Sequence, residues 1–311
     1  MMKTLLILCL LSPPVLAEKV FGDLIQGLST GISKVAVANN LTNDENGKKT
    51  LEFVPNNPLQ FNLNVITKYG TLGLFTDIKD SEDPESPKSP FQSFYYKNQF
   101  GSFDFRYSYA NFKGAAVDAQ GKKVFYSQYQ HRNNKIEISY YTDKNYLKLI
   151  QLDLKEETNI SNISPRNAIS FLFGLSYERT KVQYPNLFDP THQSLLDSNN
   201  IKVPKTIFGT SLGALAGLDA LYRFKGNFFI RGKLSAGIAY RVKNEITLQS
   251  QQVDINRIES LIDLDFTLGY LFARNQHLVL NLDIYSTNTY GSGVRFGDTA
   301  NFLSLLYSYY F

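Results

Sequence analysis

The chain has no tryptophan, a single cysteine, two methionines and three histidines among 311 residues. One cysteine, Cys9, rules out an internal disulfide framework and leaves thiolate metal chemistry without a ligand set. The histidines His131, His192 and His277 are scattered; no HExxH run, GxSxG elbow or Gly-Asp-Ser-Leu block occurs. No His/Cys/Asp cluster has metal-ligand spacing, so neither a metal nor another cofactor is expected. A strong charge of one sign is also lacking. The net charge of +4 is dispersed, without a Lys/Arg block or an aromatic-basic platform, which argues against nucleic acid as a partner. Beyond the first residues, no stretch approaches the roughly 18 apolar residues that a membrane-spanning helix requires.

The first residues are a case of their own. Met1–Ala17 carries one positive charge at Lys3, an apolar run over Thr4–Leu11, then Pro13 and Pro14, with Val15 and Ala17 placed for cleavage before Glu18. This is the layout of a signal peptide, with a buried N-terminal strand as the alternative. Leu8 precedes Cys9 where lipid attachment would need a small residue, so the cysteine is expected to leave with the signal.

Aromatics are abundant: 20 Tyr and 23 Phe. Mean hydropathy is nevertheless slightly polar at -0.22. Alternation reconciles the two. Phe61, Leu63 and Val65 alternate with Asn62 and Asn64, and Phe103, Phe105, Tyr107 and Tyr109 with Asp104, Arg106 and Ser108. The same period of two recurs in 136–141, 148–155, 168–177, 211–222, 227–241, 260–272, 277–287 and 301–311, and near 50–54, 60–67 and 70–77. Strands of this length suit a tilted crossing of a hydrocarbon layer, which takes about 9–11 residues, better than the usual soluble strand of about 5–6. The expected fold class is all-β: a transmembrane antiparallel β-barrel of about twelve strands, within a range of about ten to fourteen. A secreted β-sandwich is the alternative.

The expected organisation is a signal over 1–17, an N-terminal periplasmic or plug segment over 18–49, and the barrel over 50–311. In 18–49, Phe21, Leu24, Ile25, Leu28, Ile32 and Val35 recur at three and four residues, which suggests an amphipathic helix; a first strand over Gly31–Ala38 is the rival. Arg223–Gly226 and Ala273–Gln276 read as periplasmic turns, with 178–210, 242–259 and 288–300 as long outer loops. The acidic, proline-rich Asp80–Pro90 reads as a further outer loop. One segment strains this scheme, since Asn111–Lys135 falls on the side where loops should be short.

The chain ends NFLSLLYSYYF, with Leu303, Leu305, Tyr307, Tyr309 and the terminal Phe311 on one face. This resembles the ending of bacterial outer-membrane β-barrel proteins. The resemblance implies a place in the bacterial outer membrane, contact with its lipids and lipopolysaccharide, and Tyr307, Tyr309 and Phe311 as the signal read by the barrel-assembly machinery. Leu51–Gly73 (LEFVPNNPLQFNLNVITKYGTLG), continued through Gly101–Lys113 and Phe171–Tyr177, resembles more narrowly an uncharacterised Bacteroidetes-type outer-membrane family. That family is a domain of unknown function and implies topology and location but no catalytic residue.

Candidate functional residues lie on the polar faces. Asp219, Arg231, Lys233, Asp263, Asp265 and Asp283 alternate inward on successive strands and would line the lumen as a cross-strand ladder of acids and bases. Such a ladder either neutralises a plugged interior or lines a water-filled path. Three functions follow: a channel or transport pore for small solutes; a structural or surface-interaction barrel acting through its outer loops; and a barrel hydrolase with His192 or His131 as general base. The chain is expected not to be an enzyme.

Overall fold

An extended chain turns successive side chains to opposite faces, so strict alternation commits a segment to a strand with two unlike sides. The computed structural model describes residues 24–43, 49–54, 59–78, 89–119, 122–143, 145–147, 166–186, 190–191, 193–194, 203–224, 227–248, 251–253, 257–273, 275–291 and 294–310. In them the alternation becomes one antiparallel, 14-stranded sheet. Its strands are β1 (Ile25–Asn43), β2 (Lys49–Val54), β3 (Gln60–Thr67), β4 (Gly70–Asp77), β5 (Phe91–Phe100), β6 (Phe103–Ala119), β7 (Lys122–Tyr141), β8 (Arg166–Gln183), β9 (Thr206–Arg223), β10 (Phe228–Leu248), β11 (Gln251–Val253), β12 (Ile258–Ala273), β13 (Gln276–Gly291) and β14 (Val294–Tyr310).

All of these except β2 and β11 join in one cycle of pairings, a barrel-like closure. It runs from β3 through β10 strand by strand, on through β12, β13 and β14, and returns through β1. β1 meets β14 from Gly27↔Tyr310 to Asn43↔Val294, and β3 from Ile25↔Thr67 to Ser33↔Gln60. β2 sits above β3, between β1 and β6, through Leu41↔Leu51 and Phe53↔Val117. The ring is therefore wide at the end where β3, β4 and β5 stand, and narrower where β2 alone links β1 to β6. β11 extends the β10 hairpin through Ile246↔Val253.

Two expectations are corrected. Residues 25–43 form a strand and not a helix, in line with the rival reading of a first strand over Gly31–Ala38 and longer than it at both ends, so most of 18–49 belongs to the sheet. The apolar spacing of three and four was misleading because glycines interrupt it. At Gly31 a Cβ would lie 1.9 Å from the carbonyl oxygen of Leu305, so this glycine lets β1 and β14 approach. Secondly, β7 pairs directly with β8, with no strand between them in the wall, which reverses β6 and β7 relative to the expected scheme, and β5 is a strand where none was expected, which returns β3 and β4 to their expected direction. Asn111–Lys135 then becomes the upper part of the β6–β7 hairpin, on the opposite side from the turns Lys68–Tyr69, Gly101–Ser102 and 224–227. Gly101 turns with φ of 60°, a conformation glycine adopts without steric cost. The connections expected as long outer loops are shorter than expected, because β8, β9, β10, β12, β13 and β14 extend into them. The expected signal, the strand over 148–155, Asp80–Pro90 except Ser89 and Pro90, and Phe311 lie outside the described residues.

The two faces of the ring invert the usual order of a soluble fold. Ile169, Phe171, Phe173 and Leu175 of β8 are 61%, 63%, 57% and 67% exposed, while Ser170, Leu172, Ser176 and Glu178 between them are buried. Leu234, Ile238 and Tyr240 of β10 are exposed, and Arg231, Lys233 and Ser235 are buried. β14 repeats this, with Leu303, Leu305 and Tyr307 exposed and Ser304 and Ser308 buried. Apolar packing inside the ring is confined to its ends and one small cluster, Leu215, Ala239 and Leu261. At the narrow end Leu41, Leu51, Phe53, Phe112, Tyr129 and Tyr184 form the largest cluster, and β2 supplies its centre.

Closure makes a direct prediction. Ser33 and Ser304 are opposed across β1 and β14, and their hydroxyls are hydrogen-bonded. The double variant Ser33→Cys/Ser304→Cys should form an intramolecular disulfide in the folded protein and not in denaturant, read as a mobility shift on non-reducing gels. Absence of the cross-link in folded protein would deny the β1–β14 seam.

Candidate functional site

The interior carries the chemistry, and cross-strand register decides who meets whom. Register sets Lys233 of β10 opposite both Asp219 of β9 and Asp265 of β12. The side chains do not use these direct partners. Arg231 takes Asp219, donating from Nε at 3.0 Å and Nη2 at 2.5 Å to its two oxygens. Lys233 reaches diagonally to Asp263 Oδ2 at 3.0 Å and across the ring to Glu137 Oε1 of β7, also at 3.0 Å. The expected ladder is thus replaced by diagonal and cross-ring pairs. A planar guanidinium grips one carboxylate with two donors, whereas an ammonium bridges two carboxylates as a point charge.

Several participants are absent from the sequence-based set: Glu137, Asp104, Arg106, Lys97, Lys135 and the tyrosines around Asp219. Arg106 Nε donates to Asp104 Oδ2 at 2.9 Å and its Nη2 lies 3.8 Å from Asp265. Lys97 stands 4.0 Å from Asp104, and Lys135 is 2.9 Å from Glu137 Oε2. Asp104, Arg106, Lys135 and Glu137 occupy the polar face of alternating segments, which is the signal that would have found them. Partners contributed from across the ring were invisible, since no local spacing encodes them.

Asp219 also accepts from Tyr141 at 3.0 Å and from Tyr146 at 2.6 Å, and the two rings stack at 5.6 Å. Tyr146 and Leu147 follow β7, beyond the strands, and fold back into the wide end of the ring against Leu172 and Leu221. Burial pushes the Tyr146 phenol above its ordinary range, so it stays an O–H donor to the carboxylate.

Between the apolar narrow end and this anchored turn lies a cavity of about 400 Å³. Lys97, Arg106 and Lys135 reach it from one side and Asp263, Asp265 and Asp283 from another, with Phe75, Tyr95 and Phe302 as apolar wall. All six sequence-based interior candidates are brought to one region of the ring. Tyr307 is outward and 40% exposed; Tyr309 lies in the last turn of pairing, opposite Gln276 and Leu28. His131 is buried at the narrow end, 3.1 Å from Asp298 and edge-on to Phe112. His277 is buried at the other end beside Tyr310, and His192 lies outside the described residues. Among the described residues, no group of three or more His, Cys, Asp or Glu is arranged to hold a metal ion.

No protein-family model and no curated protein matches this chain. The narrower resemblance to a Bacteroidetes-type family therefore gains no support, and what remains is a remote likeness to outer-membrane barrel and channel proteins. Similar solved structures include the outer membrane protease OmpT of Escherichia coli, at 10% identity over 92% of this chain and 97% of that one, with a TM-score of 0.36. An outer membrane channel of Pseudomonas putida F1 is 11% identical over 92% and 96%, with a TM-score of 0.40. The toluene transporter TodX of Pseudomonas putida is 7% identical over 98% and 93%, with a TM-score of 0.32.

Lys233 is 1% exposed and donates to both Glu137 and Asp263. Lys233→Met should lower stability by about 3–5 kcal/mol, because it leaves the buried Asp263 carboxylate without its cation and Glu137 with Lys135 alone. Urea titration in detergent micelles measures this, and a shift below about 1 kcal/mol would mean the pairs contribute little net free energy.

Proposed function

We propose that the protein is a transmembrane β-barrel of the bacterial outer membrane that admits small solutes to its lumen, as a narrow channel or transport pore. The observation that carries this is the inversion of polarity: a continuous exposed apolar belt around a buried, ion-paired interior. In water, fully burying each Leu- or Phe-sized side chain would be worth about 1.5–3 kcal/mol, so a belt of them left exposed is a large deficit. Hydrocarbon outside the ring removes that deficit. The backbone needs of the strands are met by their neighbours, as a bilayer requires.

The ends of the belt support the same setting. Tyr69, Phe100, Phe103, Tyr222, Phe228 and Phe272 are exposed beside the turns at the wide end. They associate in pairs, such as Phe103 with Tyr140 at 5.3 Å and Tyr270 with Phe272 at 4.7 Å. Tyr177 and Tyr240 stand at the other limit of the belt. From Phe228 to Tyr240 the rise is about 30 Å along the axis, at ~3.3 Å per residue and a tilt of ~40°. That is the thickness of a hydrocarbon core, with aromatic girdles at both interfaces. In this setting the wide end with its tight turns is periplasmic, lipid and lipopolysaccharide cover the belt, and Tyr307, Tyr309 and Phe311 form the assembly signal.

The solute path is supported by the 400 Å³ cavity, whose walls carry charges of both signs. One observation favours a second function, a structural or surface-interaction barrel: the apolar cluster around Phe53 and Tyr129 fills the narrow end. Planar-bilayer recording separates the two. A channel gives small unitary currents, and Phe53→Ala should raise their conductance several-fold by opening the narrow end. A protein that inserts and stays silent, with and without this substitution, would leave the structural or surface role.

A further inference from the structure

Glu178 is met by hydrogen bonds from Asn133, Thr180 and Tyr285. Among the described residues, the interior carboxylates beside the cavity are instead paired with cations, with one exception. Asp219 has Arg231, Glu137 has Lys135 and Lys233, Asp263 has Lys233, Asp104 has Arg106, and Asp265 lies near Arg106. Asp283 lines the cavity and has no hydrogen-bond or ion-pair partner among the described residues. Register makes its position harder to hold, since it lies directly opposite Asp265 on β12. Directly opposed side chains in an antiparallel pair stand about 4.5–5.5 Å apart at Cβ, and like charges there destabilise the sheet. An enclosed interior screens this repulsion much less than solvent would.

The other neighbour of Asp283 differs in kind. On β14 it faces Phe302. Phe302 lies 6.3 Å from Phe75, and Phe75 lies 5.9 Å from Tyr95, ring centre to ring centre. All three rings line the same cavity. The Tyr95 hydroxyl is engaged with Asn64 Oδ1 at 3.1 Å, which orients its ring on the wall. A carboxylate without an ion-pair partner, directly opposed by a second carboxylate, thus adjoins three aromatic rings. Ring faces attract cations and also bury apolar groups.

We propose that the cavity is a binding site for a small organic cation, a primary ammonium on an apolar body, with the ammonium held by Asp283 and Asp265 and the body against Phe302, Phe75 and Tyr95. The proposal rests on the solute-admitting barrel argued above and names its solute class. A bare inorganic ion would satisfy the carboxylates but leave the aromatic side of a 400 Å³ space unused. An anion is disfavoured because the cations on the lining, Lys97, Arg106, Lys135 and Arg231, each already stand beside a carboxylate, whereas Asp283 has no cation.

The test uses the purified full-length protein, titrated calorimetrically in detergent with n-butylammonium chloride, and with sodium chloride and n-butanol as separate probes. Wild type should bind n-butylammonium at least tenfold more tightly than sodium, with n-butanol too weak to detect. Asp283→Asn should weaken n-butylammonium binding at least tenfold while its thermal midpoint stays level or rises, since a like-charge contact has been removed. Phe75→Leu keeps both carboxylates, and should weaken n-butylammonium but not sodium. Equal binding of sodium, or indifference to both substitutions, overturns the proposal. So does the absence of any binding, in which case a proton shared by the two carboxyls is the occupant. Planar-bilayer currents read the channel function independently. A silent protein that still binds n-butylammonium through Asp283 loses the channel and keeps the site; a conducting protein indifferent to Asp283→Asn keeps the channel and loses the site.

Discussion

The seam between β1 and β14 conditions everything inside the ring. Without it the sheet would have two long edges, and each would present unpaired N–H and C=O groups. With it, the polar face of every strand becomes an enclosed interior, and charges such as Lys233 and Asp219 lose contact with water. The seam itself depends on close backbone approach. Gly31 meets the Leu305 carbonyl at a distance no Cβ could share, and Gly237 does the same against Ala214 elsewhere in the wall. These glycines cost backbone entropy in a strand, and that cost is offset by a ladder that runs to Asn43↔Val294.

Enclosure turns the charges from decoration into a constraint. A buried ion that loses its partner is strongly destabilising, whereas a complete pair gives little net stability over an apolar isostere. The interior is accordingly arranged so that cations are shared: Lys233 serves Glu137 and Asp263, and Arg106 stands between Asp104 and Asp265. Pairs that cross the ring tie β10 to β7, as backbone pairing cannot. The same logic explains why Tyr141 and Tyr146 are drawn to Asp219, whose two oxygens accept more bonds than Arg231 alone can donate.

Legibility followed the physics of local pattern. The segments 60–67 and 70–77 coincide with β3 and β4 because alternation and the Lys68–Gly70 turn lie within a few residues of each other. The later strands were visible in outline, although hairpins such as β13–β14 run further than their apolar stretches, since polar residues continue the ladder above the belt. β1 was obscured by glycines whose purpose is a contact with residue 305. β5 was obscured because Phe94, Tyr95 and Tyr96 are consecutive aromatics, which blurs a period of two. In the interior, residue type and face were legible, but not partnership. Asp265 and Asp283 are far apart in sequence from Glu137 and Arg106, and only closure sets them around one space.

The narrow end shows how a short element can set the character of a path. β3, β4 and β5 are 8, 8 and 10 residues long, whereas β1 and β6 beside them have 19 and 17. The taller flanking strands would be left with unpaired upper edges on facing sides. β2 fills the gap by pairing with both. Alternation then points Leu51 and Phe53 inward, and Phe53 stacks on Tyr129 at 5.2 Å and meets Tyr184 edge-on at 5.0 Å. The strand that repairs the wall is thus the one that fills the interior. Satisfying the backbone at one end and restricting access to the charged cavity below it are two consequences of the same six residues.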